Sequence, residues 1–104
     1  MSCGYAFHPE AFADLDEIRG YIAQVSPDLA DRVMSEIFDV IGRLAPFPHQ
    51  GHWRPDLSSR ALRFTLVREY LIAYAPDEVP LLVVAVIHGR RNPRVMAAIL
   101  KGRE

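Results

Sequence analysis

Seven apolar residues, Leu81-Leu82-Val83-Val84-Ala85-Val86-Ile87, run without interruption and end on His88-Gly89-Arg90-Arg91. A short apolar run bounded by turn residues reads as a strand buried on both faces, which places it in the middle of a sheet. Where it ends, an imidazole and two guanidinium groups stand beside a glycine. The strand thus delivers one titratable group and two permanent cations to a sheet edge. The rest of the chain reads as scaffold for that terminus.

The scaffold follows from hydrophobic spacing. Gly4 to His8 alternates Tyr5 and Phe7 with a small residue and gives a short first strand. Pro9 suits the first turn of a helix, where a missing N–H loses no partner. From Pro9 to Val25, Phe12, Leu15, Ile18, Ile22 and Val25 form one helical stripe. Ser26-Pro27 ends that helix and starts another, with Ser26 as N-cap. The second helix runs to about Leu44, with Leu29, Val33, Ile37, Ile41 and Leu44 inward and Met34, Phe38 and Val40 widening the stripe. Two helices with almost no connector form an αα-hairpin. Ala45 to Ser59 carries Pro46, Pro48, Gly51 and Pro55 and reads as a loop, with Trp53 pinning it to the domain. Arg60–Leu66 and Tyr70–Ala75 then alternate as strands and lead through short turns into the apolar run, an antiparallel meander. Gly89 is assigned to a bulge or a positive φ. Asn92-Pro93 opens a last short helix, made amphipathic by Val95, Met96, Ile99 and Leu100 and ending near Gly102. The expected fold is α+β, in the order β-α-α-β-β-β-α: a small antiparallel sheet packed on a helical hairpin, one domain over residues 1–104. The hairpin covers only one face, so Phe64, Tyr70 and Tyr74 are candidates for cover by a partner.

The charges are unevenly divided. Residues 1–50 hold eight acids against three arginines, leaving −5, and residues 51–104 hold five acids against eight arginines and Lys101, leaving +4. Such a split points to an anionic partner for the second half. Eleven of the twelve cations are arginine, whose planar fork suits carboxylate or phosphate. The single cysteine, Cys3, excludes an internal disulfide and fits a reducing compartment. No leader opens the chain and no apolar run approaches ~18 residues, so neither secretion nor a membrane span is expected. His49 and His52 have an H-x-x-H spacing, but no cysteine or carboxylate is read as completing a metal site with them, and no metal or cofactor is assigned.

Read in order, several segments resemble a known family. Phe7, Ala11, Asp14, Leu15, Ile18, Tyr21 and Ile22 follow F-x-x-x-A-x-x-D-L-x-x-I-x-x-Y-I. Ser26-Pro27 with Ala30, Pro48-x-x-Gly51, Arg54-Pro55-Asp56-Leu57, Arg63, Tyr70-Leu71-Ile72-x-Tyr74 and Val86-Ile87-His88-Gly89-Arg90-Arg91 continue the pattern. The ordered set resembles the RelE/ParE toxins of bacterial type II toxin–antitoxin modules, the ParE branch in particular, over nearly the whole chain. The resemblance implies a compact cytoplasmic toxin, of the kind associated with plasmid stabilisation, neutralised by a small cognate antitoxin protein that wraps it. ParE-like members are linked to inhibition of DNA gyrase, and RelE-like members cut messenger RNA on the ribosome.

Both activities, and a third state in which the fold survives only as a non-toxic antitoxin-binding homologue, are open at this level. Metal-free RNA cleavage needs a base, an acid and cations for the phosphorane. His88, Arg63 and Arg90 are the candidate set. Against it stand a net charge of −1, one lysine and no tyrosine after His88, whereas docking into ribosomal RNA gains from a strong positive field. A non-catalytic inhibitor needs a contact surface instead, and Arg54, Arg63, His88, Arg90, Arg91 and Arg94 are its candidates. Each also has a scaffold reading: His88 as a strand cap, Arg90 or Arg91 paired with Asp56 or a hairpin acid, and Arg63 paired with Glu69 or Asp77.

Overall fold

The computed structural model describes residues 4–103. Cys3 lies outside them. The elements are strand β1 (Tyr5–Phe7), helices α1 (Pro9–Ala23) and α2 (Pro27–Leu44), strands β2 (Arg63–Val67), β3 (Tyr70–Ala75) and β4 (Leu81–His88), and helix α3 (Pro93–Lys101). A short 3-10 turn, Pro48–Gln50, interrupts the long loop. The fold is α+β, with the expected element order.

The helix ends carry their own hydrogen-bonding solutions. Pro9 opens α1, and His8 Nδ1 accepts the Glu10 N–H at 3.1 Å, so histidine takes the place of the usual Ser, Thr, Asp or Asn cap. Ser26 Oγ accepts the Leu29 N–H at 3.1 Å ahead of α2. Asn92 Oδ1 accepts the Arg94 N–H at 2.8 Å ahead of α3.

The sheet order is β1-β4-β3-β2. The three later strands form the antiparallel meander, but β1 joins β4 in parallel, so the sheet is mixed rather than antiparallel. The parallel pairing follows from topology: α1, the turn to α2 and the meander together bring β4 back alongside β1 in the same direction. β1 spans only Leu81 to Val83, with His8 N–H adding a bond to Val83 O.

Each sheet face has its own core. On one, Leu15, Val33, Ile37, Ile41, Ile72, Tyr74, Val83 and Val86 pack between hairpin and sheet. On the other, Leu57, Leu62, Phe64, Val84, Ala85, Ile87, Met96 and Leu100 pack beneath α3 and the loop. The second face is therefore covered by the chain itself. Tyr74 and Phe64, expected to await a partner, are 0% and 2% exposed and lie on opposite faces. The expectation failed for Phe64 because Leu57 and Leu62, in a segment with no periodicity, fold back as cover, and for Tyr74 because it faces the hairpin. The second strand consequently starts at Arg63 rather than Arg60. Phe12 and Val25, read as core, are 56% and 86% exposed, and Val95 is exposed as well. Phe12 instead meets the Phe7 ring, at 6.5 Å between centroids.

A register shift between Ala73 and Tyr74 puts one extra residue, Val84, into β4. Before it, Leu81 and Val83 face the hairpin; beyond it, Val86 does, and His88 follows on the same side. Beyond Val83 the outer edge of β4 has no partner strand in the sheet. Asp14 of α1 accepts the Val86 N–H at 3.0 Å, and Arg103, just past α3, donates to Val84 O at 3.1 Å. Arg103 and Asp14 also meet fork to fork, with side chains 11% and 18% exposed. Hydrogen bonding to Asp14 raises the already high pKa of the Arg103 guanidinium further.

Removing one partner of a buried pair strands the other charge. Arg103→Ala and Asp14→Ala are each expected to lower stability by about 3 kcal/mol. Urea denaturation of the two single variants and the double variant checks this. Costs that simply add in the double variant would show that the two side chains are not coupled.

Candidate functional site

His88 closes β4 opposite Tyr70. Its Nδ1 accepts the Arg90 N–H at 3.1 Å, and its Nε2 lies 3.2 Å from Glu69 Oε2. With Nδ1 an acceptor, the ring proton sits on Nε2 and points at the carboxylate. One tautomer satisfies both nitrogens. The Tyr70 ring meets the imidazole edge-on at 5.6 Å. Partial burial, then the neighbouring Glu69 and Tyr21, hold the Tyr70 phenol above its ordinary value. Gly89 has no positive φ; its role is close approach. A Cβ there would stand 3.2 Å from Glu69 O, to which the Gly89 N–H donates at 2.7 Å. The histidine is thus built into the junction of the β2–β3 and β4–α3 turns.

The arginines divide by what they touch. Arg68, the one described non-glycine residue with positive φ, grips Glu36 through two bonds of 2.9 and 2.6 Å, and this bond holds the Glu36 carboxyl below its usual range. Arg54 grips Asp56, at 3.1 and 2.9 Å, with the same effect on Asp56. Arg103 is committed to Asp14. Arg90, Arg91 and Arg94 are exposed, and none has an ion-pair partner among the described residues. The expected pairing of Arg90 or Arg91 with Asp56 does not occur, because Asp56 is taken by its sequence neighbour Arg54. Three cations of the second half thus come to the surface together at the β4–α3 corner.

Arg63 belongs to a different constellation. Its Nη1 donates to Gly51 O at 3.1 Å, and its guanidinium lies 4.1 Å from the Trp53 ring centroid. No acid pairs with it: Asp77 lies 3.5 Å from His49 Nε2, and Glu69 serves His88. Gly51 N–H donates to Tyr74 Oη at 2.9 Å, and a Cβ on Gly51 would collide with that hydroxyl. His52 and Phe64 exchange backbone bonds at 2.7 and 2.9 Å, so the loop docks on β2. Trp53 is 55% exposed and works here as a lid over Arg63.

Strand register separates the two constellations. Arg63 lies opposite Tyr74, which lies opposite Val83, whereas His88 lies opposite Tyr70. Along β3 the four steps from Tyr74 to Tyr70 span ~13 Å. Of the candidate nuclease set, His88 and Arg90 come together and Arg63 does not. Beside His88 lies a 220 Å³ cavity whose walls include Asp14, Glu17, Tyr21, Tyr70, Arg91 and Arg103. Of the charged and tyrosine side chains in this wall only Arg91 was a candidate site residue from sequence; the seven-residue spacing of Asp14 and Tyr21, with Glu17 between them on one helix, was the available signal. Among the described residues no group of three His, Cys, Asp or Glu side chains could hold a metal ion.

Residues 5–93 match the family model described as the ParE toxin of the type II toxin–antitoxin system, parDE. The chain belongs to this family. A search of curated proteins found no match to it. The ParE match ends at Pro93, so the clasp residue Arg103 lies beyond it. Within it, Gly51 and Arg63 acquire a physical reading as parts that dock the loop, and Arg54–Asp56 as a local pair inside it. His88-Gly89 packs two turns together, and Arg90 and Arg91 remain at the surface.

Tyr74 tests the docked loop. Tyr74→Phe leaves the buried Gly51 N–H without its acceptor, an expected loss of about 1–3 kcal/mol. Burial foremost raises the Tyr74 hydroxyl above its ordinary 10.0, against smaller lowering effects of the Gly51 bond and Arg63. Its contribution is complete below the ordinary value and is lost as pH rises through the raised one. Unfolding at about pH 9 and 11 is expected to show a larger alkaline loss for the wild type than for Tyr74→Phe.

Proposed function

We propose that this ParE-family chain acts in the cytoplasm as a growth-arresting toxin that inhibits DNA gyrase by binding, and that a cognate antitoxin neutralises it. The observation that carries the choice of binding over RNA cleavage is the state of His88. Both ring nitrogens are occupied within the fold, one by a backbone N–H and one by Glu69. Arg63, the cation that would serve a phosphorane beside it, is engaged by Gly51 and Trp53 about four strand residues away. The exposed trio Arg90, Arg91 and Arg94 is suited to a carboxylate-bearing protein surface, each as a planar donor fork without an internal partner.

On this reading Arg90, Arg91 and Arg94 make the target contact, while Arg54 and Arg63 support it only by holding the loop. Expression alone is expected to stop growth, and purified protein to inhibit gyrase supercoiling in a titration. Arg91→Glu and Arg94→Glu together are expected to raise the concentration for half-inhibition ~10-fold or more without changing the melting temperature. Full supercoiling activity at saturating protein would overturn the gyrase assignment. Ribosome-dependent cuts in messenger RNA that vanish in His88→Ala would replace it with the nuclease reading.

A further inference from the structure

The outward face of α2 carries features that its own chain does not use. Phe38, Asp39, Gly42 and Arg43 are exposed along it, and Phe47 follows just past the helix end, 64% exposed. Phe38 belongs to an aromatic cluster: the Phe7 ring meets Phe38 at 5.9 Å and Phe12 at 6.5 Å between centroids. Beside Gly42 opens a 550 Å³ cavity whose walls include Pro46, Pro48, Val79, Pro80 and Leu81. Val79, on its wall, is 95% exposed. Apolar groups thus stand at both ends of one helix face, near the start of β4 and not near His88 at its end.

Between those ends lie one acid and one base. Asp39 and Arg43 are four residues apart on one helix, yet neither has an ion-pair partner among the described residues. Gly42 sits between them. A Cβ there would meet nothing within 4 Å, so no contact inside the chain calls for glycine, which weakens a helix relative to alanine. A bare position on an exposed helix face admits the close approach of a second backbone.

From Phe38 to Phe47 the face runs aromatic, acid, glycine, base, aromatic. Reversed, this order is its own complement. Two copies related by a two-fold axis that crosses α2 beside Gly42 set Asp39 of each against Arg43 of the other. The same register brings each Phe47 level with the partner's Ser35, one helical turn from the Phe38–Phe12 cluster. A nucleic acid laid on this face meets Asp39, and a foreign protein fits it only by repeating the same order of groups.

We infer that this chain forms a closed two-fold dimer through the outward faces of α2, held in register by two symmetric Asp39–Arg43 pairs across the Gly42 crossing. The dimer goes beyond the toxin reading and makes no use of Arg90, Arg91 or Arg94.

The test is sedimentation of the full chain over a dilution series reaching ~100 μM. A species of twice 11.8 kDa in reversible equilibrium with the monomer is expected. Asp39→Arg and Arg43→Asp each set like charges opposite one another at both pairs, and each is expected to raise the dissociation constant ~10-fold or more. The double variant exchanges the two charges and is expected to regain the wild-type value. The two single variants, mixed, are expected to associate with each other more tightly than either does with itself, because every cross-pair is again acid against base. Phe47→Glu is expected to weaken the dimer ~10-fold. All three positions are exposed, and unchanged far-ultraviolet circular dichroism will separate lost contact from lost folding. A wild type that stays monomeric throughout would overturn the inference and leave the face to a foreign protein. Species growing beyond the dimer would overturn the closed two-fold arrangement. Single variants that show no preference for each other when mixed would overturn the Asp39–Arg43 register.

Discussion

The carboxylate of Asp14 ties together three parts of the fold that share little else. It accepts the Val86 N–H on the open edge of β4 and binds the Arg103 guanidinium, which itself reaches Val84 O. The need for it arises because β1 ends at Phe7 while β4 continues to His88. A half-buried strand edge with unpaired polar groups is costly and invites foreign strands. Here a side-chain pair supplies what a longer first strand would have supplied. Both charges are largely shielded from solvent, so each is stable there only because the other is present.

The same clasp determines where the surface features lie. It holds α1 against the far half of β4, and it ends α3 over the second core beside Met96 and Leu100. With α1 and α3 so placed, the cavity beside His88 opens between them, and Arg91 of the β4–α3 corner lines it. The bulge at Val84 completes the arrangement by shifting the phase of β4. Without that extra residue His88 would turn to the α3 face, and neither Tyr70 nor Glu69 would form its present environment.

Most of the fold was legible in one dimension. Element order, the three proline-marked helix starts at Pro9, Pro27 and Pro93, and the central position of the apolar strand all followed from spacing and caps. The mixed sheet was not legible, because a three-residue strand carries no signal of its pairing direction. Nor was the covered second face, because Leu57 and Leu62 sit in irregular backbone where no period marks them as core. Of the candidate contact residues, the clustering of Arg90, Arg91 and Arg94 follows from sequence adjacency. That Arg54 would take Asp56, and that Arg63 would turn to Trp53 and Gly51, depended on rotamers and loop docking.

The chain's sequence by itself determined its secondary elements and its membership of the ParE toxin family, since both rest on local spacing and on an ordered series of short motifs. It also determined that the second half carries surplus cations. Only the tertiary structure decided which of those cations are free. Charge is a property of composition, but its availability depends on which carboxylates the fold brings within a few ångströms, and Asp14, Glu36 and Asp56 each claim one arginine. Among the described residues Arg90, Arg91 and Arg94 stay exposed with no carboxylate claiming them, as does Lys101 at the end of α3.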